Sequence, residues 1–112
     1  MADETELLTR LLRDNDESPF WTRLRSLLRE RGIAPEAVAL VFSVEEGEMD
    51  EFGILVLPSG QAVEFNVHSD SETWENGTFT EWANLSEDGG SFAREVARGR
   101  EYLGLSSTAG DV

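Results

Sequence analysis

The chain of 112 residues carries 23 acidic residues against nine arginines and no lysine, which gives a formal net charge of −14 at pH 7. It contains no cysteine, so disulfides, thiolate catalysis and thiolate metal sites are excluded. This length suits one domain without a covalent or metal crosslink, and we expect residues 1–105 to form it, followed by a flexible tail at 106–112.

The first 32 residues predict two helices. Leucines at helical spacing favour a helix over residues 4–14. Ser18 followed by Pro19 is typical of a helix start, and the apolar stripe behind it closes at Gly32. We therefore expect a helical hairpin. The N-terminus carries acids where an export signal carries bases, and its apolar residues are spaced, so we expect a cytoplasmic protein without membrane contact.

Beyond residue 37 the apolar pattern becomes that of strands. Residues 38–44 and 63–67 alternate apolar with polar or small side chains, and residues 52–57 form a short continuous apolar run. The joints between these segments are short and contain glycine, which favours antiparallel hairpins over crossover connections. The pattern therefore predicts three strands that pair with their neighbours in the chain.

The segment HSDSETWENGTFTEW follows the third strand and predicts a further hairpin. Its Asn76-Gly77 pair is typical of a type I′ turn, because both central residues of that turn need a positive φ. Such a turn would pair Trp74 with Phe79 across the hairpin. Trp82 would then lie on the opposite face of the sheet from Trp74.

A last helix is predicted near the C-terminus, capped by Ser91 and ended by Gly104. The complete pattern is that of an α+β protein. It comprises an N-terminal helical hairpin, an antiparallel β-meander of four to five strands and a C-terminal helix. We expect the helices to pack on one sheet face.

Negative charge is concentrated in the middle of the chain. Residues 32–93 contain thirteen acids and no arginine or lysine. Such a segment projects a negative field over a Debye length of about 10 Å and disfavours direct nucleic-acid binding. We expect the arginines near the end of the second helix to compensate acids of the sheet. Solubility or adaptation to salt would also explain the excess of acids.

The charge pattern favours a small acidic protein-interaction module with a basic protein partner, anchored by tryptophan. The candidate partner-binding residues are Glu45, Glu46, Glu48, Asp50, Glu51, Asp70, Glu72, Trp74, Glu75 and Trp82. The most concrete version is an inhibitor or immunity-type protein that occupies the basic cleft of a nucleic-acid-processing enzyme or toxin. An exposed sheet edge would also permit a homodimer.

Two other functions are compatible with the sequence. One is a small-ligand-binding or regulatory domain with an aromatic pocket near the hairpin at 68–82. The other is a hydrolytic or metal-assisted enzyme using Glu64 and His68. Because His68 is the only histidine and no cysteine is present, the usual metal-ligand sets are incomplete. We therefore expect no enzymatic activity, no metal and no cofactor.

Overall fold

The computed structural model describes residues 4–105, which form three helices and four strands. The helices are α1 (Glu4–Asp14), α2 (Pro19–Glu30) and α3 (Ala93–Tyr102), and the strands are β1 (Ala39–Gly47), β2 (Asp50–Val56), β3 (Ala62–His68) and β4 (Thr78–Asn84). The predicted α+β class, helical hairpin, antiparallel sheet and C-terminal helix are confirmed. The tail predicted at 106–112 lies outside the described residues.

The two N-terminal helices are joined by a link that Arg25 holds in place. Ser18 has an extended backbone and Pro19 takes the first helical position of α2, as predicted. The buried Arg25 guanidinium donates hydrogen bonds to the carbonyls of Leu12 (2.8 Å) and Asn15 (3.0 Å). It therefore satisfies carbonyl groups at the end of α1 that have no partner within the helix.

The sheet has the order β1-β2-β3-β4, and every neighbouring pair is antiparallel. Its first face packs against α1 and α2 and contains the larger part of the core. The fully buried residues on this side are Leu12, Leu24, Leu28, Val38, Leu40, Leu55, Phe65 and Val67. Burial of these apolar side chains is the main favourable contribution to folding.

The last helix covers the opposite face of the sheet, which corrects the prediction that the helices share one face. Val96 of α3 packs with Val41, Ile54 and Val56 in a second apolar cluster. The physical reason lies in β2, where successive residues are fully buried and therefore point to both faces. A strand with two apolar faces needs cover on each side.

Helix α3 approaches the sheet closely at Gly99. A Cβ atom at this position would lie 2.6 Å from Val41 Cγ1 and 2.7 Å from Val56 Cγ2. Ser91 does not cap α3 as expected, since a 3-10 turn over Gly90–Phe92 precedes the helix and no side-chain cap is formed.

The outer edge of β1 is partly covered by α1. The Thr9 hydroxyl accepts a hydrogen bond from Leu40 N (2.9 Å) and donates one to Leu40 O (3.4 Å). These two backbone groups belong to the edge of the sheet and would otherwise be open to a further strand. Thr9 thus closes the edge at this point.

Candidate functional site

Two acidic segments of the sequence, residues 45–51 and 70–75, meet at one end of the sheet. Antiparallel pairing places Asp50, the first residue of β2, beside His68, the last residue of β3. The backbone N–H of Ser69 donates to Met49 O at 3.0 Å, which ties the chain after β3 to the β1–β2 turn. The β1–β2 hairpin tip and the segment before β4 therefore form one continuous end of the molecule.

Eight of the predicted partner-binding residues lie at this end, which we call the acidic end. They are Glu45, Glu46, Glu48, Asp50, Glu51, Asp70, Glu72 and Glu75. Asp50 and Glu51 are half-buried, whereas the other six are exposed. The sequence prediction grouped these residues by charge alone, and the fold brings them together in space.

Hydroxyl groups give the segment between β3 and β4 a defined shape. Ser69 is buried, and its hydroxyl donates to Thr73 O at 2.6 Å. The Ser71 hydroxyl donates to the same carbonyl at 3.0 Å and accepts from Asn76 Nδ2 at 3.1 Å. Asp70 and Glu72 project from this bonded loop, so their backbone positions are set before any partner arrives.

The arginines of the chain form their ion pairs elsewhere. Within residues 4–105 these pairs are Arg10–Glu6, Arg23–Glu30, Arg25–Asp16 and Arg29–Glu36. The arginines of α2 therefore pair with acids of the helices and linkers, which corrects the expectation that they compensate acids of the sheet. At the acidic end itself, His68 Nε2 lies 3.1 Å from Asp70 Oδ1.

Glu51 carries the perturbed carboxyl group of the acidic end. Burial raises its pKa, and the nearby charges of Glu45 and Asp50 raise it further. The Ser43 hydroxyl acts against this by donating a 2.7 Å hydrogen bond to Glu51 Oε2. Glu45 and Glu51 are direct cross-strand partners, so the arrangement brings like charges together.

The predicted type I′ turn at Asn76-Gly77 is not formed. Trp74–Asn76 make a 3-10 turn, and Gly77 follows with a φ of −65°, outside the positive region that such a turn needs. Phe79 instead pairs with Val67 of β3. Hydrogen bonds within the serine-rich loop compete with a tight hairpin here, as local side-chain bonds to the backbone can.

Trp74 and Trp82 lie on the same side of the sheet, and not on opposite faces as predicted, because β4 contains a bulge. The register slips by one residue between the partners of Asn66 and Val67, which puts Phe79 and Trp82 on the same face. Trp74 packs against the same apolar cluster as Trp82. A bulge of this kind is not visible in an alternating pattern.

Both tryptophans are half-buried in a chain of aromatic contacts. Trp74 meets Phe20 edge-on at 4.9 Å between ring centroids, and Trp82 meets Phe79 at 5.0 Å. The guanidinium of Arg31 lies 4.4 Å from the centre of the Trp82 ring, where a cation–π attraction is expected. Trp74, Phe79 and Trp82 all pack against the larger apolar cluster, and the aromatic pocket near 68–82 stays a prediction.

The residues nominated for catalysis are separated along β3. Glu64 and His68 share a face of the strand, but four residues at a rise of about 3.3 Å each put them roughly 13 Å apart. Residues 4–105 contain no group of three or more His, Asp or Glu side chains placed to hold a metal ion. Within the same range, no helix has the length and apolar character needed to cross a membrane.

A groove between the start of α2 and the turn at 74–76 was missed by the sequence analysis. Its volume is about 360 Å³, and it is bordered by Asp16, Glu17 and Glu75 together with Thr22 and other residues of α2. No pattern in the chain indicated it, because the groove depends on the packing of two distant segments. Its Glu75 belongs to the acidic end as well.

Comparison of the chain with protein-family models, with curated proteins and with solved structures finds no match. The geometry and charge of residues 4–105 are therefore the basis for assigning a function.

Proposed function

We propose that the chain is a small acidic protein-interaction module whose acidic end binds a basic surface of a partner protein. The observation that supports this best is the convergence of eight carboxylates at one end of the sheet, none of which forms an ion pair with an arginine within residues 4–105. Opposing charge on a partner would speed the encounter and select the partner. The role proposed is binding and not catalysis.

The acidic end is suited to a partner that normally binds phosphate groups. Its exposed carboxylates lie on a hairpin tip and on a loop held by internal hydrogen bonds, so little ordering is needed on binding. We propose an inhibitor or immunity-type protein that covers the basic cleft of a nucleic-acid-processing enzyme or toxin. The field of the acidic end would repel nucleic acid and attract such a cleft.

Self-association through the β1 edge of the sheet is less favoured, because this edge is partly covered and carries negative charge. Thr9 occupies the edge of β1 at Leu40. The outer part of the strand carries Glu45 and Glu46, which would meet like charges if a second copy added there. A homodimer stays a prediction.

The test is affinity capture from the native cell with two variants of equal net charge. The first variant, Glu45→Gln/Glu46→Gln/Glu48→Gln, neutralises part of the acidic end. The second, Glu4→Gln/Glu87→Gln/Glu101→Gln, removes three exposed carboxylates elsewhere.

We expect the wild type and the second variant to capture the same basic protein, and the first variant to lose it. Exposed ion pairs contribute about 0.2 to 1 kcal/mol each, so loss of three weakens binding by up to about a hundredfold. Capture should also weaken as salt is raised. Equal loss in both variants, or capture that is insensitive to salt, would contradict the proposal.

A further inference from the structure

Helix α3 covers only part of the second sheet face. Its ten residues span about 15 Å, whereas the nine residues of β1 span about 30 Å. Val96 of α3 packs with Val41 and Val56, which belong to the half of the strands far from the acidic end. Val44, nearer to that end, is 40% exposed. Apolar surface therefore stays open between α3 and the acidic end.

Three phenylalanines and one valine form this open surface. Phe42, Phe52 and Phe92 are half-buried and pack against the second apolar cluster. The ring centroids of Phe42 and Phe92 are 5.1 Å apart, and those of Phe42 and Phe52 are 6.1 Å apart. Val44 is the direct cross-strand partner of Phe52, so both side chains lie on this face. We call Phe42, Val44, Phe52 and Phe92 the apolar strip.

Acidic side chains border the apolar strip on its β3 side. Asn66 pairs with Phe52 of β2 and with Glu81 of β4. Glu64 lies two residues before Asn66 in β3 and therefore shares its face. Residues 32–93 contain no arginine or lysine, and the next cation in the chain is the exposed Arg94 of α3. The border that the sheet provides is thus negative, and it continues along β1 and β2 into the acidic end.

We infer that the apolar strip docks an amphipathic basic helix of the partner protein, an inference that rests on the proposed function. An apolar centre within a charged rim is the usual anatomy of a protein interface. A helix laid on the strip would extend the layer that α3 begins, since helices on a sheet face are a standard arrangement of layers. Its apolar stripe would cover Val44 and Phe52, and its basic residues would meet Glu64, Glu81 and the acidic end.

Charge disfavours two other occupants of the apolar strip. A second copy would bring together two chains of net charge −14, each with an acidic border at the contact. Residues 106–112, with the sequence SSTAGDV, offer one large aliphatic side chain, Val112, beside Asp111. They would add negative charge to a border that is already negative. A basic helix matches both the apolar strip and its border.

The experiment follows backbone amide signals by NMR while the whole chain is titrated with a capped leucine-lysine peptide. The peptide has about 14 residues, close to four helical turns, with leucines at helical spacing. We expect saturable shifts centred on Val44, Phe52 and Phe92, with a dissociation constant on the order of 100 µM. A peptide with glutamine in place of leucine keeps the charge and should bind at least about tenfold more weakly. A peptide with glutamate in place of lysine should not bind.

Two single variants with exposed apolar positions locate the apolar contact. Val44→Thr keeps the branched shape and should weaken binding of the leucine-lysine peptide at least about threefold, because the exposed 40% of this side chain is buried on docking. Leu11 is 39% exposed on α1, two residues after Thr9, which bonds Leu40 in the other half of β1. Leu11→Gln should therefore leave the affinity within about twofold of the wild type. An otherwise unchanged amide spectrum shows that each variant is folded.

Two double variants of equal charge test the acidic border. Glu64→Gln/Glu81→Gln should weaken binding of the leucine-lysine peptide about fivefold, since each exposed charge pair contributes about 0.2 to 1 kcal/mol. Glu87→Gln/Glu101→Gln removes two exposed carboxylates elsewhere and should weaken it less than about twofold. An equal effect of both variants would show that the peptide responds to net charge alone, which would contradict the inference.

Three further results would overturn the inference. Shifts confined to the hairpin tip at 45–48, or equal binding of the glutamine peptide, would show that charge alone attracts the peptide. A dimer in sedimentation that Val44→Thr dissociates would assign the apolar strip to a second copy. Nuclear Overhauser contacts between Val112 and Val44 in the free protein would assign it to the chain's own C-terminal residues.

The two proposals fail separately. The titration needs no natural partner, so its failure would leave the capture experiment at the acidic end unaffected. Conversely, Glu45→Gln/Glu46→Gln/Glu48→Gln leaves the apolar strip intact, and shifts of Val44 and Phe52 should still saturate in that variant. Capture of the partner by that variant would contradict the proposed function even if the peptide binds the strip.

Discussion

Replacing Gly99 with alanine tests how closely α3 packs against the sheet. Two effects oppose each other in this variant. Alanine favours a helix over glycine by about 1 kcal/mol, which would stabilise α3. The new methyl group, however, would meet Val41 Cγ1 at 2.6 Å and Val56 Cγ2 at 2.7 Å, and both distances are too short for carbon atoms in contact.

The steric cost should exceed the gain in helix propensity. An extra methyl group in a packed core costs about 1 to 3 kcal/mol. Val41 and Val56 are almost completely buried on paired strands, and their branched side chains cannot turn away easily. The steric cost therefore lies in the upper half of this range, at about 2 to 3 kcal/mol. After subtraction of the gain of about 1 kcal/mol in helix propensity, Gly99→Ala should lower the free energy of unfolding by about 1 to 2 kcal/mol. For a chain of this size the melting temperature should fall by about 4 to 8 °C.

Chemical denaturation of wild type, Gly99→Ala and Ala97→Gly measures the two effects separately. Ala97 lies on the exposed side of α3, so its change to glycine reports helix propensity alone and should cost about 1 kcal/mol. If Gly99→Ala stabilises the protein by the amount that Ala97→Gly destabilises it, α3 does not contact Val41 and Val56 as closely as described.

Three further variants test other contacts of the fold. Thr9→Val should cost about 1 to 3 kcal/mol in chemical denaturation, because the buried N–H of Leu40 loses its acceptor. Glu51 has a pKa raised chiefly by burial, so its charged form weakens the folded state and stability rises as the pH falls through that pKa. Glu51→Gln should therefore raise the free energy of unfolding at pH 7 by about 0.5 kcal/mol, and this gain should shrink on acidification. Arg31→Gln should change the fluorescence of Trp82 and cost about 0.5 to 1 kcal/mol.

Each of these variants has a control substitution that keeps the hydroxyl, the buried carboxyl or the positive charge under test. Thr9→Ser keeps the hydroxyl and should retain most of the stability, whereas an equal loss would show that the methyl group matters more. Glu48→Gln removes the same charge at an exposed position of the same hairpin and should change the free energy of unfolding at pH 7 by no more than about 0.5 kcal/mol. Arg31→Lys keeps the cation, and a loss as large as in Arg31→Gln would speak against the cation–π contact.

The helices and strands were accessible from the sequence because their patterns are local. The start of α2 at Ser18 and Pro19 depends on the fixed φ of proline, and the strands depend on alternating or continuous apolar residues. The face that α3 covers was predicted wrongly, although the continuous run in β2 held the necessary information. Successive buried residues at 54–56 require cover on both sides.

The candidate site was predictable in composition and less so in geometry. Charge alone grouped the carboxylates in the prediction, and antiparallel pairing of β2 with β3 places the two segments that carry them side by side. The faces of the tryptophans were predicted wrongly for two reasons. The Asn76-Gly77 pair favoured a tight turn, whereas hydrogen bonds of the preceding serine-rich loop favour a 3-10 turn. The bulge in β4 is not visible in the alternation of apolar and polar residues. The groove at Glu75 depends on tertiary packing alone.

The simple order of the strands has a consequence for how the chain folds. Every strand pairs with its neighbour in the sequence, so most native contacts in the sheet close short loops. We expect the meander to form quickly, within milliseconds, for a mixed α/β protein. During synthesis the N-terminal helices and the sheet emerge from the ribosome first. The sheet face that α3 covers stays exposed to solvent until α3 has also emerged. Because α3 is synthesised last, this exposed apolar face is the part of the incomplete chain most prone to aggregation.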